Sequence, residues 1–215
     1  MKTLAILSRK GGAGKTTLAI HMAVIAQAAG RRVLIIDCDP QKSATKWFES
    51  RDAGTPELIS APADSLAMAL PAARADGVDL VIVDSRPSVE GDAAQIAARA
   101  DFALIPSRPS ILDLQAIGDT VSIVKLAKCS AAVVLNACPP ARGVGEASVT
   151  QDARSVLSGY QIEVAPVSIA VRVAFCNALI DGRAVNELEP NGKAAVEMLK
   201  LWKWTEAKLW QRRQS

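Results

Sequence analysis

Short apolar runs and longer mixed stretches alternate along nearly the whole chain. Strands are predicted where the runs are rich in Val, Ile, Leu and Ala: Thr3–Leu7, Arg32–Asp37, Asp79–Asp84, Phe102–Pro106, Ala131–Asn136 and Glu163–Pro166. Helices are predicted over the longer stretches: Lys15–Ala29, Gln41–Arg51, Asp64–Ala75, Val89–Ala100, Ser110–Ala127, Glu146–Ser158 and Asn191–Arg213. Alternating strands and helices predict right-handed crossovers and an α/β fold, in which helices flank a doubly wound, mostly parallel β-sheet.

The composition fits one domain built around such a sheet. The 215 residues are 50% hydrophobic but only 4% aromatic, so the core must consist largely of small and branched aliphatic side chains, as in buried parallel sheets. No linker or repeat interrupts the pattern, and we expect a single domain over residues 1–215. Since no apolar run approaches the roughly 18 residues that span a bilayer and no signal-peptide pattern is present, we expect a cytoplasmic protein.

Cysteine and histidine usage argues against metal clusters and histidine-dependent catalysis. The four cysteines form no CxxC pair, and they stand at Cys38, Cys129, Cys138 and Cys176. Reduced thiols in a cytoplasmic protein are the simplest explanation of this pattern. The single histidine, His21, lies inside the first predicted helix, so we expect neither a histidine-based metal site nor a catalytic triad.

The segment between the first strand and the first helix carries the clearest chemistry. It reads Lys-Gly-Gly-Ala-Gly-Lys-Thr-Thr over residues 10–17. Glycines let the backbone curl so that several N–H groups converge on one anion, and the helix N-terminus adds its partial positive charge. In such a phosphate-binding loop, Lys15 would reach the β- and γ-phosphates and the Thr16 hydroxyl would hold Mg²⁺. The segment therefore predicts a nucleoside triphosphate site.

Carboxylates stand at the carboxyl ends of two other predicted strands. Asp37 and Asp39 follow the second apolar run, and Asp84 follows the third. Ligands bind at this edge of a parallel sheet, and a carboxylate near a phosphate-binding loop is the usual partner of Mg²⁺. An Asp after an apolar run often only caps a loop. Together with the loop, however, these residues predict a magnesium site.

The loop departs from the common pattern G-x-x-x-x-G-K-[ST], because Arg9 replaces the first glycine and Lys10 begins the turn. In this respect the sequence resembles the ParA/MinD family of P-loop ATPases, whose deviant Walker A loop has the same extra lysine. The resemblance extends to residues 37–41, which are similar to switch I, and to residues 83–85, which are similar to Walker B and switch II. Residues 105–114, 172–175 and 182–187 also match, and the small, ParF-like partition proteins are the closest likeness.

The resemblance implies ATP and Mg²⁺ as cofactors and a role for each matched residue. Lys10 would cross a dimer interface to the phosphates of the other subunit, Lys15 would bind phosphate, and Asp39 would orient the attacking water. Thr16, Asp37 and Asp84 would hold Mg²⁺, the two carboxylates through its water shell. The nucleotide-binding residues would be Lys10, Gly11, Gly12, Ala13, Gly14, Lys15, Thr16, Thr17, Pro109 and Asn136, the last of them at the adenine.

Two features depart from the family pattern. Arg86 takes the place of the first of two prolines in switch II, where it would be a cargo contact, a phosphate ligand or a surface charge. The loop also begins at the tenth residue, so we do not expect the N-terminal helix-turn-helix of larger ParA proteins. The resemblance further implies a homodimer formed on ATP binding. Its slow hydrolysis would be accelerated by a ParB-type centromere-binding protein or another cargo adaptor.

Positive charge is concentrated at the C-terminal end of the chain. The whole chain carries +3, whereas residues 193–215 contain six basic and two acidic residues, which predicts an anionic partner. The leading interpretation is a nucleoid-associated partition or positioning ATPase that binds DNA without sequence preference. Candidate phosphate contacts are Arg172, Arg183, Lys200, Lys203, Lys208 and Arg212. The alternative is that these lysines are the solvated face of an ordinary helix.

Two further functions stay open from the sequence. Trp202, Trp204 and Trp210 alternate with basic residues, as in interfacial helices, so a MinD-like membrane-associated positioning ATPase is the alternative. The wide spread of apolar positions around this helix nevertheless favours packing against the sheet, so a membrane partner is not the expectation. Related folds include the nitrogenase iron protein and small ATP-dependent ligases, but switch II has no cysteine for a cluster. The sequence does not identify the cargo.

Overall fold

The computed structural model describes residues 1–87, 90–141 and 145–211, so the predicted helix positions Val89, Arg212 and Arg213 lie outside the described residues. The strands in these ranges are β1 Lys2–Ile6, β2 Val33–Asp37, β3 Glu57–Ser60, β4 Leu80–Asp84, β5 Phe102–Ser107, β6 Ala131–Leu135 and β7 Glu163–Val164. They form one sheet in the order β3-β2-β4-β1-β5-β6-β7, and every pairing between them is parallel.

Helices cover both faces of the sheet, which confirms the predicted doubly wound α/β fold. The helices are α1 Lys15–Ala28, α2 Ser43–Glu49, α3 Leu66–Ala75, α4 Glu90–Ala97, α5 Ile111–Leu126, α6 Ser148–Ser158, α7 Val173–Ile180, α8 Val185–Leu188 and α9 Lys193–Trp210, with a short 3₁₀ helix at Ala63–Ser65. Buried side chains of α1, α2 and α7–α9 belong to the core on one face. Those of α3–α6 belong to the core on the other face.

The central strands are buried on both faces, as their continuous apolar sequences predict. In β1, Leu4 and Ile6 point into the core beneath α1 and α9, whereas Ala5 points into the core beneath α3–α6. All three side chains are fully buried. The period of two in a strand thus assigns alternate residues of one short run to two separate cores.

The order of the strands determines where a ligand can bind. β1 lies between β4 and β5 at the centre of the sheet, and the chain passes to one side for β2–β4 and to the other for β5–β7. Such a reversal opens a crevice at the carboxyl ends of the central strands. The glycine-rich loop leaves β1 at this point, and Asp37 and Asp84 end β2 and β4 beside it.

The sequence prediction missed β3, α7 and α8. β3 has only four residues and pairs only with β2 at the edge of the sheet, and its Ile59 is 41% exposed. The α7 sequence is apolar almost throughout, so it shows no helical period, and its Val173 and Ile180 are nevertheless exposed. Short or uniformly apolar segments carry too little periodic signal to assign from sequence alone.

His21 has a structural position in the core. It is fully buried on α1, where its Nδ1 accepts a hydrogen bond of 3.2 Å from the Val185 N–H of α8 and its ring packs against Phe175. Burial lowers the pKa of His21 to about 3, with Glu187 opposing the shift. The imidazole is therefore neutral at physiological pH and joins α1 to α8.

None of the helices in the described ranges combines the length and the hydropathy that a membrane crossing requires.

Candidate functional site

The loop after β1 needs glycine at two of its positions. Gly12 and Gly14 have φ angles of 69° and 93°, in the left-handed region that other residues rarely adopt. A Cβ atom on Gly14 would also lie only 2.1 Å from the Asn136 side-chain nitrogen. Gly14 precedes α1 and offers no side-chain cap, so the first N–H groups of α1 remain available to an anion.

Side chains from three directions hold the carbonyl groups of this loop. The Lys15 ammonium donates to the Lys10 carbonyl at 3.3 Å, and the Asn136 amide donates to the Ala13 carbonyl at 2.7 Å. The Arg108 guanidinium, which the sequence did not single out, donates to the Gly12 carbonyl. Because its carbonyls are fixed from outside, the loop is held in one shape around its own N–H groups.

The two lysines of the loop differ in their surroundings. Lys15 is only 7% exposed, and burial lowers the pKa of its ammonium, although the nearby carboxylates of Asp84 and Asp39 partly oppose this shift. Lys10 is exposed at the tip of the loop, and its ammonium has no partner among the described side chains. Lys15 therefore faces the site of its own chain, and Lys10 faces outward.

Asp84 is a buried carboxylate whose negative charge is only partly compensated. It is fully buried at the end of β4, and neither of its oxygens has a hydrogen-bond partner within the described ranges. Burial raises the pKa of Asp84 to about 7; Asp37 and Asp39 contribute to the rise, and Thr16 and Lys15 oppose it. An unpaired buried charge is costly, and a bound cation would remove the cost. The orphaned carboxylate thus fits Mg²⁺.

Asp37 is buried beside Asp84, but both of its carboxylate oxygens accept hydrogen bonds. The two residues are register partners on β2 and β4. One oxygen of Asp37 accepts hydrogen bonds from the Thr45 N–H at 3.0 Å and from the Thr45 hydroxyl at 2.9 Å. Its other oxygen accepts from the Asp39 N–H at 3.1 Å. The sequence analysis missed Thr45, because no motif distinguishes it from other polar residues at the start of a helix.

Two cavities open around the loop. The larger, about 560 Å³, is lined by Lys15, Thr16 and Asp39 together with residues of α2. The smaller, about 190 Å³, lies between Thr17, Asn136 and residues 169–175. The volumes and linings suit phosphates with a divalent ion in the first cavity and a base in the second.

Most of the predicted nucleotide and magnesium residues lie together at this edge of the sheet. Asn136 is 8% exposed, and its side chain is engaged by Ala13, so its contact with adenine stays a prediction. Pro109 is half-buried in the loop between β5 and α5. Arg86 forms an ion pair with Asp92 of α4, which ties switch II to the following helix. Together with Asp37 and Asp39 it lines a third cavity of about 330 Å³, which shares Asp39 with the larger loop cavity.

The metal chemistry of the site depends on the ligand that it binds. Within the described ranges, no group of three or more His, Cys, Asp or Glu side chains could hold a metal ion by itself. Two carboxylates and the Thr16 hydroxyl match a Mg²⁺ ion that takes its remaining ligands from phosphate and water.

The two buried cysteines are not reactive thiolates. Burial raises the pKa of Cys38 to about 12 and that of Cys138 to about 11, so these thiols are protonated at neutral pH.

The predicted DNA contacts do not form one cluster. Arg172 pairs with Glu197 and lines the smaller cavity, Arg183 pairs with Asp181, and Lys208 pairs with Glu163. Lys200 and Lys203 are exposed on α9, and neither has a carboxylate partner among the described residues. Arg212 lies outside those residues. Lys193 was not among the predicted contacts, but it is equally exposed at the start of α9.

Comparison with known proteins shows similarity to a family of nucleotide-binding proteins over most of the chain. A family model of the CobQ/CobB/MinD/ParA nucleotide-binding domain matches residues 4–181. The sequence is 31% identical over 208 residues to the Maintenance of carboxysome distribution protein A of Halothiobacillus neapolitanus, and the match covers 91% of both chains.

Solved structures share the fold. An ATP complex of Cyanothece McdA superimposes with a TM-score of 0.75 at 21% identity, covering 100% of this chain and 98% of that chain. The septum site-determining protein MinD of Pyrococcus horikoshii, complexed with Mg-ADP, gives a TM-score of 0.75 at 17% identity, covering 95% of this chain and 96% of that chain.

Replacing the buried carboxylate should stabilise the nucleotide-free protein. Because the pKa of Asp84 is about 7 instead of 3.8, its contribution to stability is complete below pH 3.8 and is lost as the pH rises through 7. Asp84→Asn should therefore raise the free energy of unfolding by about 2–4 kcal/mol at pH 8. The gain should largely disappear near pH 4.5. Urea denaturation in EDTA without nucleotide measures both values.

Asp37→Asn is the matched control for this experiment, because Asp37 is equally buried but accepts three hydrogen bonds. It should lower the stability at pH 8 or leave it unchanged. An Asp84→Asn protein that is no more stable than the parent at pH 8 would contradict the description of Asp84 as a buried charge that is only partly compensated.

Proposed function

The chain belongs to the CobQ/CobB/MinD/ParA family as a ParA-type partition or positioning ATPase, and we propose that it acts as an ATP-dependent dimer that binds DNA non-specifically. Hydrolysis is slow in the isolated protein and is accelerated by an adaptor protein. The proposed dimer is supported by the exposed position of Lys10 beside the inward-facing Lys15. The proposed DNA contact is supported by the exposed lysines of α9 that have no carboxylate partner among the described residues.

ATP binding relies on the loop and on the carboxylates beside it. The N–H groups at the start of α1 bind phosphate oxygens, and Lys15 leaves the Lys10 carbonyl to neutralise the β- and γ-phosphates. When bound, Mg²⁺ neutralises charge on the phosphates and orients them. Thr16 would hold this ion directly, and Asp37 and Asp84 would hold its water shell. Asp39 lines the same cavity and orients the attacking water as an acceptor of hydrogen bonds.

Dimer formation follows from the second lysine. The Lys10 ammonium is exposed at the loop tip, and the Lys10 carbonyl is already engaged by Lys15 of the same chain. An ammonium in this position would be stabilised most strongly by the phosphates bound to a facing molecule. Closure of the interface would exclude water and so strengthen the electrostatic attraction. Each copy would then complete the site of the other.

DNA binding is assigned to the exposed face of α9. Lys193, Lys200 and Lys203 are exposed on this helix. A lysine without a carboxylate neighbour can neutralise a phosphate and release a condensed counterion, whereas an ion-paired arginine must first give up its partner. Lys200 and Lys203 are therefore stronger candidates for DNA contacts than Arg172, Arg183 and Lys208. Lys193 is a further candidate for the same reason.

The cargo belongs to one of two classes. The relative matched over 91% of both chains is named for the distribution of carboxysomes, so a large protein assembly is one class of cargo. The other class is DNA, a plasmid or a chromosome, as for partition ATPases. In both cases the adaptor links the cargo to the ATP-bound dimer, and a ParB-type centromere-binding protein is the adaptor for DNA.

The described part of α9 does not favour the membrane-binding alternative. Trp202 is 1% exposed, and Leu201 and Leu209 are also buried in the core that covers the sheet. Trp204 and Trp210 are partly buried against the same core. The three tryptophans that suggested an interfacial helix are therefore used in packing against the sheet, whereas Leu199 is exposed.

Dimerisation should depend on ATP and on Lys10. In the Asp39→Ala protein, which retains ATP because hydrolysis is blocked, we expect the molar mass to double when Mg-ATP is added. Adding Lys10→Gln should abolish this doubling while the affinity for ATP changes less than about threefold, because Lys10 does not contact the nucleotide of its own chain. Multi-angle light scattering measures the mass, and a fluorescent ATP analogue measures the affinity.

Lys128→Gln in the Asp39→Ala background is the control, since it removes the same charge from an exposed position at the opposite edge of the sheet. It should dimerise like the Asp39→Ala protein. A Lys10→Gln variant that dimerises equally well, or an Asp39→Ala protein that stays monomeric with Mg-ATP, would contradict the proposed dimer.

DNA affinity should depend on the α9 lysines and on salt. The Lys200→Gln/Lys203→Gln variant should bind non-specific duplex DNA more weakly in the ATP state. The slope of log K against log salt should become shallower by about 2 for each subunit of the dimer that contacts the DNA, because each phosphate that a lysine no longer neutralises removes about 0.9 from the slope. Fluorescence anisotropy over a salt series measures this slope.

The control for charge alone is Lys125→Gln/Lys128→Gln, which removes two exposed lysines from the opposite face of the sheet. It should retain the salt slope of the parent. DNA binding that is equally reduced by both double variants would show a general charge effect and would count against an α9 contact surface.

A further inference from the structure

Thr45 makes two hydrogen bonds to Asp37, one of the two carboxylates proposed to hold Mg²⁺. We infer that Thr45 is a positioning residue for Mg²⁺ and acts only through Asp37; the inference rests on the proposed ATP and Mg²⁺ site. Both hydrogen-bond donors of Thr45, the backbone N–H and the hydroxyl, reach the same Asp37 oxygen, at 3.0 and 2.9 Å. A carboxylate held by two donors on one residue cannot rotate without losing both bonds.

The hydrogen bonds leave Asp37 one direction in which to accept a ligand. Oδ2 is occupied by Thr45, and Oδ1 receives one N–H, from Asp39. A carboxylate oxygen has two lone-pair sites, so Oδ1 keeps one site for the water shell of an ion. Asp84, the register partner of Asp37 across the two strands, has no such constraint. The ion would therefore meet one fixed and one unpaired carboxylate.

Helix α2 is itself held in place, so Thr45 provides a rigid support. The Trp47 indole donates to the Arg183 carbonyl at 3.1 Å. Arg51, with a side chain only 5% exposed, forms two hydrogen bonds to Glu187 of 2.6 and 2.8 Å and one to the Gly182 carbonyl of 2.7 Å. Both ends of α2 are thus anchored, at Asp37 and at residues 182–187.

Gly182 allows this close contact between the two segments. Its φ angle is 72°, and a Cβ atom there would lie 2.4 Å from the Arg51 Cα and 2.5 Å from the Ser50 carbonyl oxygen. These neighbours are backbone atoms that cannot move aside. The glycine therefore lets the segment before α8 lie directly against the end of α2, which limits the movement of Thr45 relative to β2.

The role of Thr45 is separable from phosphate binding. The phosphates are bound by Lys15 and the loop N–H groups, which make no hydrogen bond to Thr45. Removing the hydroxyl should loosen Asp37 and weaken the hold on the ion while leaving metal-free nucleotide binding intact. Loss of such a supporting hydrogen bond typically costs about 10–100-fold in metal affinity. Because Thr45→Val keeps the backbone N–H bond, we expect about tenfold.

The test titrates Mg²⁺ into the full-length protein with a fluorescent ADP analogue. The Mg²⁺ concentration for half-maximal effect should rise about tenfold in Thr45→Val, whereas the affinity for the analogue in EDTA should stay within twofold of the parent. Thr45→Ser, which restores the hydroxyl, should return to within about threefold of the parent. Thr205→Val removes a buried hydroxyl that has no partner in the described ranges, and it should leave the titration unchanged.

A double-mutant cycle with Asp37→Asn separates positioning from a general structural effect. If Thr45 acts through Asp37, Thr45→Val should add no further change in the Mg²⁺ titration when Asp37 is already Asn. A Thr45→Val titration equal to that of the parent, or equal losses with Mg²⁺ and in EDTA, would overturn the inference. So would a Thr45→Val protein that fails to fold while Thr45→Ser loses Mg²⁺ affinity. Absence of any Mg²⁺ effect in the parent would instead overturn the proposed metal site itself.

Discussion

The site depends on two carboxylates buried side by side at the carboxyl edge of the sheet. Asp37 and Asp84 are at most 1% exposed and end neighbouring strands in register. Two negative charges in such a position repel each other, and burial raises the pKa of Asp84 to about 7. The inward-facing Lys15 offsets only part of this cost, since its own burial lowers its pKa. The fold therefore holds a destabilising arrangement that a nucleotide-bound cation would relieve, so we expect binding and stability to be linked.

The rest of the fold supports this arrangement from two sides. On one side, the loop that follows β1 is held through its carbonyl groups, by Arg108 from the segment after β5 and by Asn136 from the segment after β6. On the other side, α2 fixes Asp37 through Thr45 and is itself anchored to residues 182–187 through Arg51. Segments that lie far apart in the sequence thus hold the loop and Asp37 in place.

The sequence was sufficient to predict features that are determined by residues close together along the chain. The buried strands are continuous apolar runs, two of them end in Asp37 and Asp84, and the glycine spacing of residues 11–14 identifies the loop. Features that depend on distant contacts could not be predicted. Arg108 lies 96 residues from Gly12, and the anchor of α2 joins residues 136 positions apart. The charge of a residue was also insufficient, because only the structure shows which basic residues have carboxylate partners.

A crystal structure with Mg²⁺ and a non-hydrolysable ATP analogue tests the central claim most directly. The account predicts a Mg²⁺ ion with Thr16 as a ligand and its water shell against Asp37 and Asp84, and a Lys15 ammonium that has moved from the Lys10 carbonyl to the phosphates. Lys10 should lie against the γ-phosphate bound by a facing copy. A nucleotide bound elsewhere, or an Asp84 carboxylate distant from the ion and its water shell, would contradict the account.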